Sequence, residues 1–315
     1  MENTALKITY GDLHLGVAGE GFEYIFAYHK GGPVSIKKDD VEWMYRSPVP
    51  ALWRPLTDND RGNGFHLRSG MWLAADTFIR VKGASVSVDG KDIPLPIGPE
   101  NNKYSDNETA EKIKITHVFE TITIPATCIE VSYTVTAGGR ITVHCMFHGN
   151  KDLPELPVFG LRMVMPTVAT GYTYEGLSGE TYPDRMAGAT HGTYEVQGLP
   201  MSGYLVPQEC GMHMNTDRLC IYRNTSLSNV NGSDRESEFV IEKKDRPFAF
   251  TALPYTPGEI ENADHIEALP LPRRTVLTVY GAVRGVGGID SWGSDVEDAY
   301  HVSAGEDISF SFVIS

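Results

Sequence analysis

The chain has 315 residues, 41% of them hydrophobic and 22% charged, with 27 basic against 41 acidic side chains and a formal net charge of −14. That length holds one large domain or two ordinary ones around a substantial core, and the acidic balance argues against nucleic acid or an anionic membrane as a partner. No apolar run is long enough for a transmembrane helix, and residues 1–10 lack the apolar core of an export signal, so a cytoplasmic location is expected.

In chain order the pattern is β almost everywhere. Phe22 to Tyr28 runs into Gly31-Gly32 and continues as Pro33 to Lys37, which predicts a hairpin. Ser85-Val86-Ser87-Val88 meets Asp89-Gly90 and then Lys91-Asp92-Ile93, a second turn signal. Val131, Tyr133 and Val135 alternate with polar residues, Gly138-Gly139 turns, and Ile141, Val143, Cys145 and Phe147 alternate again, as in a hairpin with one buried face. Further strands are expected over Pro157 to Met165, Leu219 to Arg223, Glu238 to Glu242, Phe248 to Ala252, Thr275 to Tyr280 and Asp307 to Ile314. Helices are few: a short one over Ser69 to Ile79, and another leading from the capping box Thr256-Pro257-Gly258-Glu259 into Ile260 to Leu269. Many antiparallel strands without a linker or repeat predict one large β-sandwich over residues 1–315. Cys128, Cys145, Cys210 and Cys220 form no CxxC pair, so reduced thiols are expected, not a disulfide framework or a zinc site.

Three polar stretches stand out. In Trp53 to Phe65, the Asp58-Asn59-Asp60 cluster lacks the twelve-residue register of a calcium loop. Either Asp58 and Asp60 cap turns and pair with Arg54 or Arg61, or the segment is a loop at a cleft mouth. In Tyr174 to Arg185, Glu180 and Asp184 invite comparison with the paired carboxylates of glycosidases. Nothing in the sequence fixes their separation, and a salt-bridged turn in which Asp184 and Arg185 position Tyr182 is the favoured reading. In Gly281 to Gly293, five glycines within thirteen residues deliver Asp290, Ser291 and Trp292 after an apolar strand. Trp292 there is either a packing anchor or a stacking surface for a ligand. His144 and His148 do not share a face in a strand, and no HExxH, GxSxG or Walker motif occurs. The residues alone yield no complete catalytic constellation.

Together these stretches resemble one family. Arg54-Pro55-Leu56-Thr57-Asp58-Asn59-Asp60-Arg61-Gly62 resembles the "RAPLDNDxG" segment of the β-galactosidases of glycoside hydrolase family 2. Gly176 to Arg185 is similar to their "GLGPxExYPDR", one residue shorter and without the proline, and Gly287 to Trp292 is similar to their "GGDDSW". The order is the family's, within the C-terminal domain of its long single-chain members, and the likeness spans essentially all 315 residues. A separate chain of this content resembles the small subunit of the two-subunit enzymes.

The resemblance implies an all-β antiparallel supersandwich, similar to galactose mutarotases, with a few short helices. It implies a large partner subunit whose TIM barrel carries both catalytic glutamates and the magnesium, with sodium a further candidate there. This chain would then hold no catalytic residue and no metal site, and Glu175 and Glu180 would inherit no catalytic role. Trp292 matches the tryptophan that stacks on the sugar. Gly62 matches a glycine of a mobile loop, so Asp58, Asn59, Asp60 and Gly62 are expected beside the active site. Gly287, Gly288, Asp290 and Ser291 would support Trp292, while Glu180, Tyr182, Asp184 and Arg185 would be structural. Ile289 replaces the first acid of "DDSW", which removes any role for that carboxylate. The expected function is a non-catalytic but required subunit of a retaining β-galactosidase acting on β-D-galactosides such as lactose, with no nucleic-acid or membrane partner. The alternatives are a free-standing sugar-binding module and an aldose 1-epimerase-like protein, the latter from fold analogy alone.

Overall fold

The structure is a computed structural model that describes residues 5–95, 108–225 and 236–315. Among these residues it is an all-β antiparallel supersandwich of three sheets. The ten-stranded sheet runs His191–Gln197, Gly171–Leu177, Arg218–Arg223, Ser237–Lys243, Ile308–Ile314, Ile141–Phe147, Cys128–Thr136, Lys112–Glu120, Arg80–Val88 and Lys91–Ile93. The five-stranded sheet runs Met212–Thr216, Phe248–Leu253, Thr275–Val283, Val158–Met165 and Arg46–Ala51. A six-stranded sheet is built from the strands between Leu6 and Glu42, with Glu108–Ala110 on its other edge.

The period-two segments form the expected hairpins. Ile141–Phe147 alternates buried and half-buried positions and pairs with Cys128–Thr136 across the Gly138-Gly139 turn. Both glycines have positive φ there, which a residue with a Cβ resists. The Phe22 and Ser85 hairpins also pair as read. Val158–Met165 and Phe248–Leu253 are buried at every position, which fits their largely apolar character, interrupted by the buried Arg162 and Thr251. One cluster of buried side chains runs from Leu6 to Ile314 and joins all three sheets, with Trp43, Trp72 and Phe147 among its largest members. All four cysteines are free thiols.

The two predicted helices are corrected. The first ends where it was expected to begin, because Phe65–Ser69 is helical and only a 3-10 turn over Gly70–Trp72 follows. Ala74 at φ 60° then breaks any continuation. The second helix keeps its capping box, with Thr256 accepting from the Glu259 N–H and Glu259 accepting from Thr256, yet it stops after Pro257–Glu261. A separate 3-10 turn at Ile266–Ala268 occupies the rest of the expected span.

Candidate functional site

The three polar stretches meet at one place. Thr57 begins a one-turn helix, α1 (Asp58–Gly62), in a capping box with Asp60, whose carboxylate accepts from the Thr57 N–H and hydroxyl, each at 2.9 Å. The segment expected as a loop is therefore helical, and Gly62 is its last residue. Asp58 pairs with Arg61 at 3.6 Å and exchanges hydrogen bonds with the Gln208 amide.

Asp60 points inward, with no exposed side-chain area. Arg54 donates to both its oxygens, at 2.6 and 3.3 Å, and Arg284 donates to one at 3.1 Å. Burial alone would raise the Asp60 carboxyl, but the two guanidinium groups outweigh it and hold the group below its ordinary value. Arg284 is itself fully buried, stacks over Phe65 at 4.2 Å, and donates to Glu155 and Asp295. Its neighbour Gly285 offers its carbonyl to Arg54 at 3.1 Å. The glycine-rich stretch is thus bolted to α1 through a buried charge network at its root.

Beyond the root, side chains from the other two stretches hold its backbone. Asn59 donates to the Val286 carbonyl at 3.0 Å. Asp184 accepts from the Val286 N–H at 3.0 and 3.1 Å and from the Gly287 N–H at 2.8 Å, and Arg185 donates to the Gly287 carbonyl. A Cβ on Gly285 would lie 2.8 Å from the Asp184 carboxyl carbon, so only glycine admits this approach. Asp184 is therefore a structural clamp, and Tyr182, buried beside it, is bridged to Arg185. Glu180 is exposed and accepts from the Gly211 N–H at 2.8 Å and the Ser202 hydroxyl at 3.2 Å.

The tip closes on itself. Asp290 accepts from the Trp292 N–H at 2.9 Å, the Ser294 N–H at 3.2 Å and the Ser294 hydroxyl at 2.5 Å. The Ser294 hydroxyl, followed by those N–H groups, holds the Asp290 carboxyl below its ordinary value. Gly293, at φ 84°, lies so close to α1 that a Cβ would meet the Gly62 carbonyl oxygen at 2.9 Å. Gly287 and Gly288 also have positive φ, whereas Ser291 is simply exposed. Trp292 is 90% exposed, so its indole does not anchor this chain's core.

No motif in the chain marks Glu209. Its carboxyl is buried between Arg54 and Tyr182, whose hydroxyl lies 3.5 Å away. Burial is the main cause that pushes it up to about 8; Arg54 opposes this, while Glu180 and Asp60 add to it. Glu155, Asp295 and Gln208 were missed too, since they join the site only through the fold. Among the described residues no group of three or more His, Cys, Asp or Glu could hold a metal ion.

A family profile described as "Beta galactosidase small chain" matches residues 18–314. The chain belongs to that family. It is 56% identical over 313 residues to the "Beta-galactosidase small subunit" of Latilactobacillus sakei, covering 99% of this chain and 98% of that protein. It is 32% identical to a "Beta-galactosidase" of Lactobacillus delbrueckii subsp. bulgaricus and 28% identical to one of Streptococcus thermophilus. It covers 93% and 98% of itself in those alignments but spans only 26% and 27% of those longer proteins. A galactose mutarotase-like protein from Lactobacillus casei aligns over 96% of this chain and 99% of that one, with a TM-score of 0.44 and 12% identity. The fold assignment stands on the sheet order itself.

Two outcomes follow from this geometry. Asp60→Ala leaves two buried guanidinium groups without their shared anion and is expected to destabilise the chain by about 3–5 kcal/mol in denaturant unfolding; a loss under about 1 kcal/mol would show that the network carries little of the stability. Glu209, raised in the folded chain, contributes stability that is complete below its ordinary carboxyl range and lost as pH rises through about 8. The melting temperature should therefore fall between about pH 5 and 9, and Glu209→Gln should flatten that fall.

Proposed function

We propose that this chain is the small subunit of a two-subunit, retaining β-galactosidase that hydrolyses terminal β-D-galactosides such as lactose. The observation that carries this reading is the near end-to-end match to a small subunit, alongside the coverage of only about a quarter of the single-chain relatives. The remaining machinery, including the two carboxylates a retaining glycosidase needs, is assigned to a large partner with a TIM barrel. Magnesium, and sodium if it is used, belong to that partner as well.

In this reading Trp292 forms one wall of the galactose site. An indole face suits the apolar C–H face of a pyranose, and the Asp290 ring fixes the loop that presents it. A preformed loop lowers the ordering cost of binding. Asp58, Asn59, Asp60 and Gly62 lie behind this wall, and α1 sets its height through the Gly62–Gly293 contact.

The same end of the molecule presents the docking face for the large subunit. Trp292, Ile289 and Leu67 are exposed. Leu205 and Ile266 are exposed as well; the Ile266 N–H donates to the Leu205 carbonyl at 2.9 Å, and Gln208 accepts from the Asp58 N–H. Large apolar side chains gathered around one element mark a surface that associates.

Mixing purified subunits tests the division of labour. Neither chain alone should hydrolyse a chromogenic galactoside at the rate of the mixture, and near-full activity of this chain by itself would refute the proposal. In the mixture, Trp292→Ala should lower kcat/KM by at least about fivefold with subunit assembly intact, since a lost stacking contact is worth on the order of 1 kcal/mol or more; loss of assembly would instead give the indole a packing role at the interface. The double variant Leu205→Asp with Ile266→Asp should weaken assembly seen by size-exclusion chromatography while leaving this chain folded, and unchanged assembly would move the docking face elsewhere.

A further inference from the structure

Strand Ile308–Ile314 is paired unequally on its two sides. On one side all seven residues pair with Ile141–Phe147. On the other, only Phe312–Ile314 pair, with Ile241–Lys243. The chain then turns at 244–247 and enters the five-stranded sheet as Phe248–Leu253. Where it departs, the backbone edge of residues 308–311 has no strand partner among the described residues, and a notch of about 600 Å³ opens beside it. That volume lies within the range of small-molecule sites, about 300–1,000 Å³.

The notch has a shaped aromatic wall. Phe310 lines it and packs edge-on against Phe159, with ring centroids 5.4 Å apart at 85°. A Cβ on Gly281 would sit 2.3 Å from the Phe310 ring, so glycine in the facing strand is what lets the ring lie against the backbone. Around the ring stand polar groups of both kinds. Asp245 and Arg246 are exposed at its rim, and neither forms an ion pair with a described residue. His144 and Ser311 bond each other at 2.9 Å on the adjoining strands, and Asp307 accepts from the Gly149 N–H at 2.8 Å.

This lining excludes several ligand classes. The two carboxylates belong to no group of three or more His, Cys, Asp or Glu among the described residues that could hold a metal ion. They also repel an anion, while Arg246 repels an organic cation. The polar lining disfavours an apolar guest. What matches is a neutral ring rich in hydroxyl groups, with one C–H face against Phe310 and its hydroxyls donating to carboxylates and accepting from guanidinium.

We propose that the notch beside Ile308–Ser311 is a saccharide-binding site for a mono- or disaccharide, separate from the Trp292 loop. It does not rest on the role given to Trp292. The test uses the full-length chain, titrated with galactose, lactose and glucose and followed by amide chemical shifts. At least one sugar should shift the signals of Asp245, Arg246 and Ser309 to Ser311. The affinity should be unchanged in Trp292→Ala and fall by about tenfold or more in the double variant Asp245→Ala with Arg246→Ala, the size expected when two charge-assisted hydrogen bonds are lost. Both replaced residues are exposed turn positions, so the fold is retained. Binding that survives the double variant, binding abolished by Trp292→Ala, or no shift at the notch with any of the three sugars would overturn the assignment. If the chain shows no such shift while the assembled subunits still turn over galactoside, the notch proposal falls and the galactosidase reading stands.

Discussion

One carboxylate holds the meeting point of the three polar stretches together. Asp60 lies without exposure between Arg54 and Arg284 while also capping its own helix. Withdrawing three charges from water is costly, and the arrangement survives because each guanidinium finds further acceptors, Gly285 for Arg54 and Glu155 with Asp295 for Arg284. The result is directional. Arg284 is the residue at which the strand Thr275–Val283 becomes the glycine-rich loop, so its fixation sets the angle at which that loop leaves the sheet.

From that root outward the loop is held mainly by hydrogen bonds to its backbone, with Val286 packed against the apolar cluster of Tyr182, Tyr280 and Val283. Asn59, Asp184 and Arg185 grip Val286 and Gly287, and Asp290 closes the tip. Glycines at 285 and 293 are needed because neighbouring atoms occupy the space a Cβ would take. A loop built this way can present a large aromatic ring to solvent without collapsing onto its own core. Its geometry is determined by the three segments jointly.

Much of the fold could be read from residue order. The central hairpin is legible because Val131 to Phe147 alternates with period two around a glycine pair, and the Thr256 cap is legible because Glu stands three residues on. The Thr57 cap was not, since its third helical position is Asp60, outside the usual Glu or Gln pattern. The expected helix from Ser69 failed because Ala74 adopts a left-handed conformation that propensity does not reveal. The three loop segments were recognisable singly; their convergence depends on contacts across more than a hundred residues, such as Asp184 with Gly287 and Arg54 with Gly285. Glu209 had no motif to betray it, because its altered acidity arises wholly from what the fold packs around it.

The burial of the tryptophans has a consequence of another kind. Trp43, Trp53 and Trp72 are 1%, 3% and 0% exposed, while Trp292 is 90% exposed. Three indoles report an apolar interior and the fourth reports water. The chain therefore carries its own optical label: with excitation confined to tryptophan, a collisional quencher in solution reaches a single indole, and the red edge of the emission belongs to the tip of the glycine-rich loop. Whatever covers that tip writes its arrival into the intrinsic fluorescence, with no dye attached.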